Sequence, residues 1–197
     1  MLALATYQIS TLLLLSLLAT AAMIDLRCHR VPNLLSIGGL LLCLGLNIWF
    51  LGFGTQGLLS ALGGALLALV IFLPFYSAGG MGAGDVKLMV MAAAFLDPRY
   101  ALLAAGLSLA TGSLMGLGIL LMRRGFGCMA RRYVSTFQCL AVTGRWSYVP
   151  PEAHEPAAAR FPYALAIALG TLAALWWSGT LSDFIYLSRA FLLWIIN

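Results

Sequence analysis

Val86-Lys87-Leu88-Met89-Val90-Met91-Ala92-Ala93-Ala94-Phe95-Leu96 is a run of eleven residues, bounded by Gly84-Asp85 on one side and Asp97-Pro98 on the other. As a helix it covers about 16 Å, roughly half of a bilayer's hydrocarbon core. Whether this run crosses decides the topology of everything after it. Around it lie five longer apolar runs, at residues 3–24, 34–51, 57–77, 101–122 and 162–181. If all six cross and the N-terminus lies outside, Arg27, Arg30, Lys87, Arg123, Arg124, Arg131, Arg132, Arg145 and Arg160 fall on the cytoplasmic side, leaving Arg99 outside. If residues 86–96 fail to cross, the basic segment from Arg123 to Arg160 is forced to the outer face, against the tendency of Lys and Arg to stay inside. The run therefore reads as a short true span. The predicted fold is all-α, a polytopic membrane helix bundle of about six transmembrane helices.

Composition points the same way. Of 197 residues, 62% are hydrophobic and only 9% charged, and the mean hydropathy is +1.00, which excludes an ordinary soluble domain. The stretch Leu2–Ile24 reads as a first transmembrane helix and not a cleaved signal, because no basic segment precedes it and no small-residue cleavage site follows. Residues 1–197 read as a single membrane-embedded domain. The net charge of +5 is explained by topology. With no basic patch interleaved with aromatics, nucleic acid is not an expected partner, and the lipid bilayer is. Cys28, Cys43, Cys128 and Cys139 form no C-x-x-C pair and no zinc spacing, so neither metal nor cofactor is expected.

Against this apolar background the chain has six acidic residues. Two of them, Asp25 and Asp85, stand where a membrane-length run meets a polar turn, and carboxylates are expensive near lipid. Six spans put Asp25 at the inner end of the first helix and Asp85 at the inner start of the fourth. Both then reach the same membrane face. Two carboxylates held close cannot both ionise cheaply, so such a pair shares one proton. One member can then take a proton from water while the other polarises a scissile carbonyl, which is peptide hydrolysis without a nucleophilic side chain. His29 and His154 have no Ser or Cys partner in a nucleophile motif, and no H-E-x-x-H occurs. Gly82 and Gly84, lacking Cβ atoms, would let an unwound backbone turn tightly beside Asp85 and approach an extended substrate. Lys87 reads either as electrostatic tuning of the site or as a topogenic charge. Pro32-Asn33 would break the chain and restart it between the first two spans. Two other readings stay open: an ion or proton relay through a small transporter, and a non-catalytic subunit of a secretion assembly in which both aspartates merely cap helices.

An Asp closing an apolar helix, followed by Pro-Asn as in Asp25 to Pro32-Asn33, and then Gly82-Ala83-Gly84-Asp85-Val86-Lys87-Leu88, resembles the type IV prepilin peptidases. These are membrane aspartyl proteases of the GxGD type, and the compact form serving Tad/Flp pili is the most similar. The resemblance extends to Arg160-Phe161-Pro162-Tyr163-Ala164 before the last span. It implies that Asp25 and Asp85 are catalytic and that Gly82, Gly84, Lys87, Pro32 and Asn33 shape the site. It also implies a substrate, a prepilin or pilin-like precursor. The short basic leader of that precursor would be removed at the cytoplasmic face of a bacterial inner membrane. Val31 stands where family members often have Ile. The long polar connection from Arg123 to Phe161 is predicted to be a cytoplasmic loop, either a lid or docking segment or a plain connector, and Asp183 to Asn197 an interfacial or partial seventh helix.

Overall fold

A computed structural model of the chain describes residues 2–28, 31–52, 54, 57–122, 134 and 162–185. The polar connection, apart from residue 134, and the end of the chain beyond residue 185 lie outside the described residues. Two compact units make up the chain, Met1–Thr111 with Pro162–Asn197, and Gly112–Phe161.

The described secondary structure is helical: α1 (Leu2–Cys28), α2 (Asn33–Leu51), α3 (Leu58–Ser77), α4 (Ala83–Ala94), α5 (Pro98–Met122) and α6 (Tyr163–Trp177). Each of the six apolar runs is one helix. Four helices, α1, α2, α3 and α5, contain stretches long and apolar enough to cross a membrane alone, whereas α4 and α6 are shorter. Without water in a bilayer core every backbone group must be paired internally, and helices do this within one segment.

The short helix is the centre of the bundle. α4 packs against α1, α2, α3 and α6, and Val86, Leu88, Met89, Met91, Ala92, Ala93 and Ala94 are all buried. Alternation of bulky Leu and Met with a run of alanines lets four neighbours approach one thin helix. Lipid tails are as apolar as leucine, so close packing and interhelical hydrogen bonds hold such helices together, not escape from water. At Gly39 of α2 an added Cβ would collide with Met91, and at Gly64 of α3 it would collide with the Ala93 carbonyl. These are the second members of the Gly38-Gly39 and Gly63-Gly64 pairs. At Gly38 the space is open. On the other side of α4, α5 joins α6 through polar contacts: the Thr111 hydroxyl donates to the Ala166 carbonyl at 3.1 Å and the Tyr163 hydroxyl to the Ser108 carbonyl at 3.3 Å.

The turns on either side of the site follow from local chemistry. Pro32 caps α2 in extended geometry (φ −63°, ψ 133°), and its carbonyl accepts from the Leu35 amide at 3.1 Å, so the proline is the restart point between α1 and α2. After α3 the chain reverses at Gly79, whose φ of +74° only glycine adopts freely. The Gly80 amide closes that turn on the Phe75 carbonyl at 3.0 Å.

Candidate active site

Asp25 is the first carboxylate of interest, three residues from the end of α1 and only 4% exposed. A carboxylate so placed needs hydrogen-bond donors, and α1 has no free amide that far along the helix. The donor comes from the other end of the chain. Ala164, in the first turn of α6, gives its backbone N–H to Asp25 Oδ2 at 3.0 Å. First-turn amides of a helix have no partner within it, and the positive end of the helix dipole favours an anion. The segment Pro162-Tyr163-Ala164 is thus the seat of the first aspartate.

Asp85 lies in the first turn of α4, one residue before the apolar run 86–96, and is half-buried. Its Oδ2 accepts the Gly82 backbone N–H at 3.3 Å, the return bond of a helix-capping arrangement. Burial pushes the Asp85 carboxyl up, to about 6, the charge of Asp25 pushes it further the same way, and the Gly82 N–H works against both. The two carboxylates are therefore within electrostatic reach of each other, although they are 60 positions apart in the chain (85 − 25). Tyr163 also lies within reach of the Asp85 charge. Each aspartate uses Oδ2 for one backbone N–H, and among the described residues neither Oδ1 has a hydrogen-bond partner.

The surrounding motif residues fall into two groups. Lys87 Nζ donates to Asn33 Oδ1 at 3.1 Å, which ties the start of α4 to the start of α2. Pro32 sets where α2 begins, and so where Asn33 stands. Gly82 has an extended conformation (φ −76°, ψ 148°), and a Cβ there would sit 3.1 Å from Asp85 Oδ2. Its bare Cα leaves the carboxylate room. Gly84 is already inside α4, and a Cβ there would make only ordinary contact with Val31, at 3.5 Å. The tight turn expected of Gly82 and Gly84 is made earlier, at Gly79, because the chain reverses at the end of α3 and reaches Gly82 already extended.

Two features were missed by sequence reasoning. The Ala164 amide leaves no side-chain signature, and the only available sign was a Pro before a helix start. Pairing of Lys87 with Asn33 was within reach, since the six-span reading puts the starts of their two helices on one membrane face. Among the described residues no group of His, Cys, Asp and Glu has the makings of a metal site.

The model of the type IV leader peptidase family matches residues 12–121, a stretch that contains Asp25, Pro32, Asn33, Gly82, Gly84, Asp85 and Lys87. No curated protein and no solved structure matches the chain.

Proposed function

This chain belongs to the type IV leader peptidase family, and from that premise we propose that it is a membrane aspartyl endopeptidase with Asp25 and Asp85 as its catalytic pair. The observation that carries the reading is the pairing itself: two carboxylates from α1 and α4, within reach of each other's charge, each pinned through Oδ2 by one backbone N–H. That leaves an Oδ1 on each for a water and a scissile carbonyl. Asp85, the member pushed towards the protonated form, donates a hydrogen bond to the carbonyl oxygen. Asp25 takes a proton from the attacking water as the new C–O bond forms. Collapse of the tetrahedral intermediate breaks the C–N bond, and the proton held by Asp25 passes to the leaving amine. Asp85 returns to its starting state.

The substrate is a type IV prepilin, of the Flp/Tad kind, or a pilin-like precursor. Its hydrophobic segment lies in the membrane and its short basic leader remains in the cytoplasm. With the N-terminus outside and six spans crossing, the aspartates meet at the inner face of the cytoplasmic membrane, where such a leader is presented. A relay reading is disfavoured by the packing beyond the pair. Leu14, Leu18, Leu88, Met89 and Met91 are 0–2% exposed, so a close-packed, mostly apolar core continues from the aspartates toward the other end of the bundle. Relay carboxylates would be spaced along a path, as transporter sites near the midplane are.

The test is co-expression with a Flp-type prepilin. Wild type is expected to remove the leader, while Asp25→Asn and Asp85→Asn insert equally well and leave the precursor intact. Undiminished processing by either variant removes that residue from catalysis and returns the capping reading.

A further inference from the structure

At the end of the bundle away from the aspartates there is a second polar place. Thr11 precedes Asp25 by fourteen residues on α1, about 21 Å along the helix axis. There, a cavity of about 80 Å³ opens over the C-terminus of α4, which is too short to fill the bundle to this level. It is lined by Asn47, Ser60, Asp97, Tyr100, Ser178 and Thr180 among others, and among the described residues no Lys or Arg lines it. A water needs about 10–15 Å³ of such volume, so the space suits several waters or a small polar group.

The lining selects for charge and for hydrogen-bond type. Asp97 is the one carboxylate in it among the described residues. Its Oδ1 accepts the Ser60 hydroxyl at 3.0 Å, and among the described residues its Oδ2 has no partner. The C-terminal end of α4, the negative end of its dipole, adds partial negative charge at Ala94 and Phe95. One full negative charge amid hydroxyl, amide and phenol oxygens matches a single positive charge that carries N–H donors. A divalent ion would ask for more carboxylates.

Depth says where that cation comes from. Trp49 follows Asn47 by two residues on α2, Trp176 and Trp177 directly follow the lining residue Leu175 on α6, and all three indoles are exposed. Exposed tryptophans at helix ends sit at the level of lipid head groups. Arg99, exposed in the first turn of α5, stands two residues beyond Asp97, so a cation for a phosphate lies close in the chain to the anion for an amine.

We propose that this cavity binds the primary ammonium of an ethanolamine-type head group at the membrane surface opposite the aspartates, with Asp97 as counter-ion and Ser60 holding that carboxylate in place. The shared chemistry belongs to two sources, an ethanolamine phospholipid and soluble phosphoethanolamine.

Delipidated protein in detergent, titrated with short-chain phosphatidylethanolamine or with phosphatidylcholine of the same chains, separates these by native mass spectrometry. Wild type is expected to prefer ethanolamine lipid on the order of tenfold, the worth of a charge-assisted hydrogen bond that a quaternary ammonium cannot make. Asp97→Asn should abolish the preference, and Ser60→Ala should lower it with unchanged thermal unfolding. Displacement of the lipid by soluble phosphoethanolamine at equal concentration makes the free compound the ligand; failure to displace assigns the site to lipid. Equal binding of the two lipids by wild type, or a preference that survives in Asp97→Asn, overturns the proposal.

Discussion

The two ends of the helix bundle are both polar, yet they treat negative charge differently. At one end Asp25 and Asp85 are brought together from α1 and α4, and each is held by a backbone amide, from Ala164 and Gly82. At the other, Asp97 is the one carboxylate of its cavity among the described residues, exposed, and held by a side-chain hydroxyl. Backbone amides at helix starts are fixed by the helices that carry them, so they position a carboxylate more firmly than a rotatable hydroxyl does. At the paired end, burial first and then the charge of Asp25 push the Asp85 carboxyl up. At the single-carboxylate end one oxygen of Asp97 has no hydrogen-bond partner among the described residues. One helix, α4, separates them: its N-terminus supplies Asp85 and its early C-terminus leaves the opposite space.

If this contrast is right, isosteric neutralisation should have opposite consequences at the two ends. Asp25→Asn or Asp85→Asn is expected to lower kcat/KM for precursor cleavage by roughly 10³-fold, measured on inserted, folded protein. Gly82→Ala should be milder, on the order of tenfold, because its methyl group presses on Asp85 Oδ2 and shifts the carboxylate by a few tenths of an ångström. Gly84→Ala serves as its control, since a Cβ there meets only ordinary contacts and activity should stay near wild type.

The Lys87–Asn33 pair sharpens the comparison from the side. Both residues are exposed, so a double-mutant cycle with Lys87→Met and Asn33→Ala should give a coupling of only about 0.5–1 kcal/mol in kcat/KM. Zero coupling would reduce Lys87 to a topogenic charge. The smallest effect is expected at the far end, where Asp97→Asn should leave cleavage within about twofold, being distant and sharing no partner with the pair. A large loss there would show that the two ends are not independent.

A pH profile tests the shared proton directly. Asp85 has its folded value raised to about 6, so the proton is bound below that pH and is lost as pH rises through it. The catalytic rate should fall with an apparent pKa near 6, a value that belongs to the pair and not to one residue. Stability follows the same sign. A raised carboxyl lends nothing at low pH and weakens the folded state as pH climbs from its unfolded value, about 4, towards 6. A rate limb unchanged in position when the charge of Asp25 is removed from a partly active variant would break the coupling.

Much of this was legible in the chain before any fold was seen. Apolar runs gave the six helices, four of them long and apolar enough to cross a membrane alone and two of them shorter. The apolar run itself gave residues 86–96 as a separate segment, charge asymmetry argued that it crosses, and Asp25 and Asp85 stood out because carboxylates are rare in such a composition. What could not be read was contact through atoms common to every residue. The amide of Ala164 is chemically anonymous, and its role depends on where α6 starts relative to α1. The difference between Gly82 and Gly84 was equally hidden, since both spell the same letter and only one has a carboxylate oxygen beside its missing Cβ. The cavity at Asp97 was not anticipated either, although the shortness of the run that creates it was plain.

The bond from Ala164 to Asp25 joins residues 139 positions apart. A ribosome synthesising this chain releases Asp25 first, Asp85 next, and Ala164 only after the long polar connection has been made. Until α6 is threaded and docked, the first carboxylate has no amide to seat it. The seat of the first carboxylate is therefore completed only by one of the last-made parts of the chain.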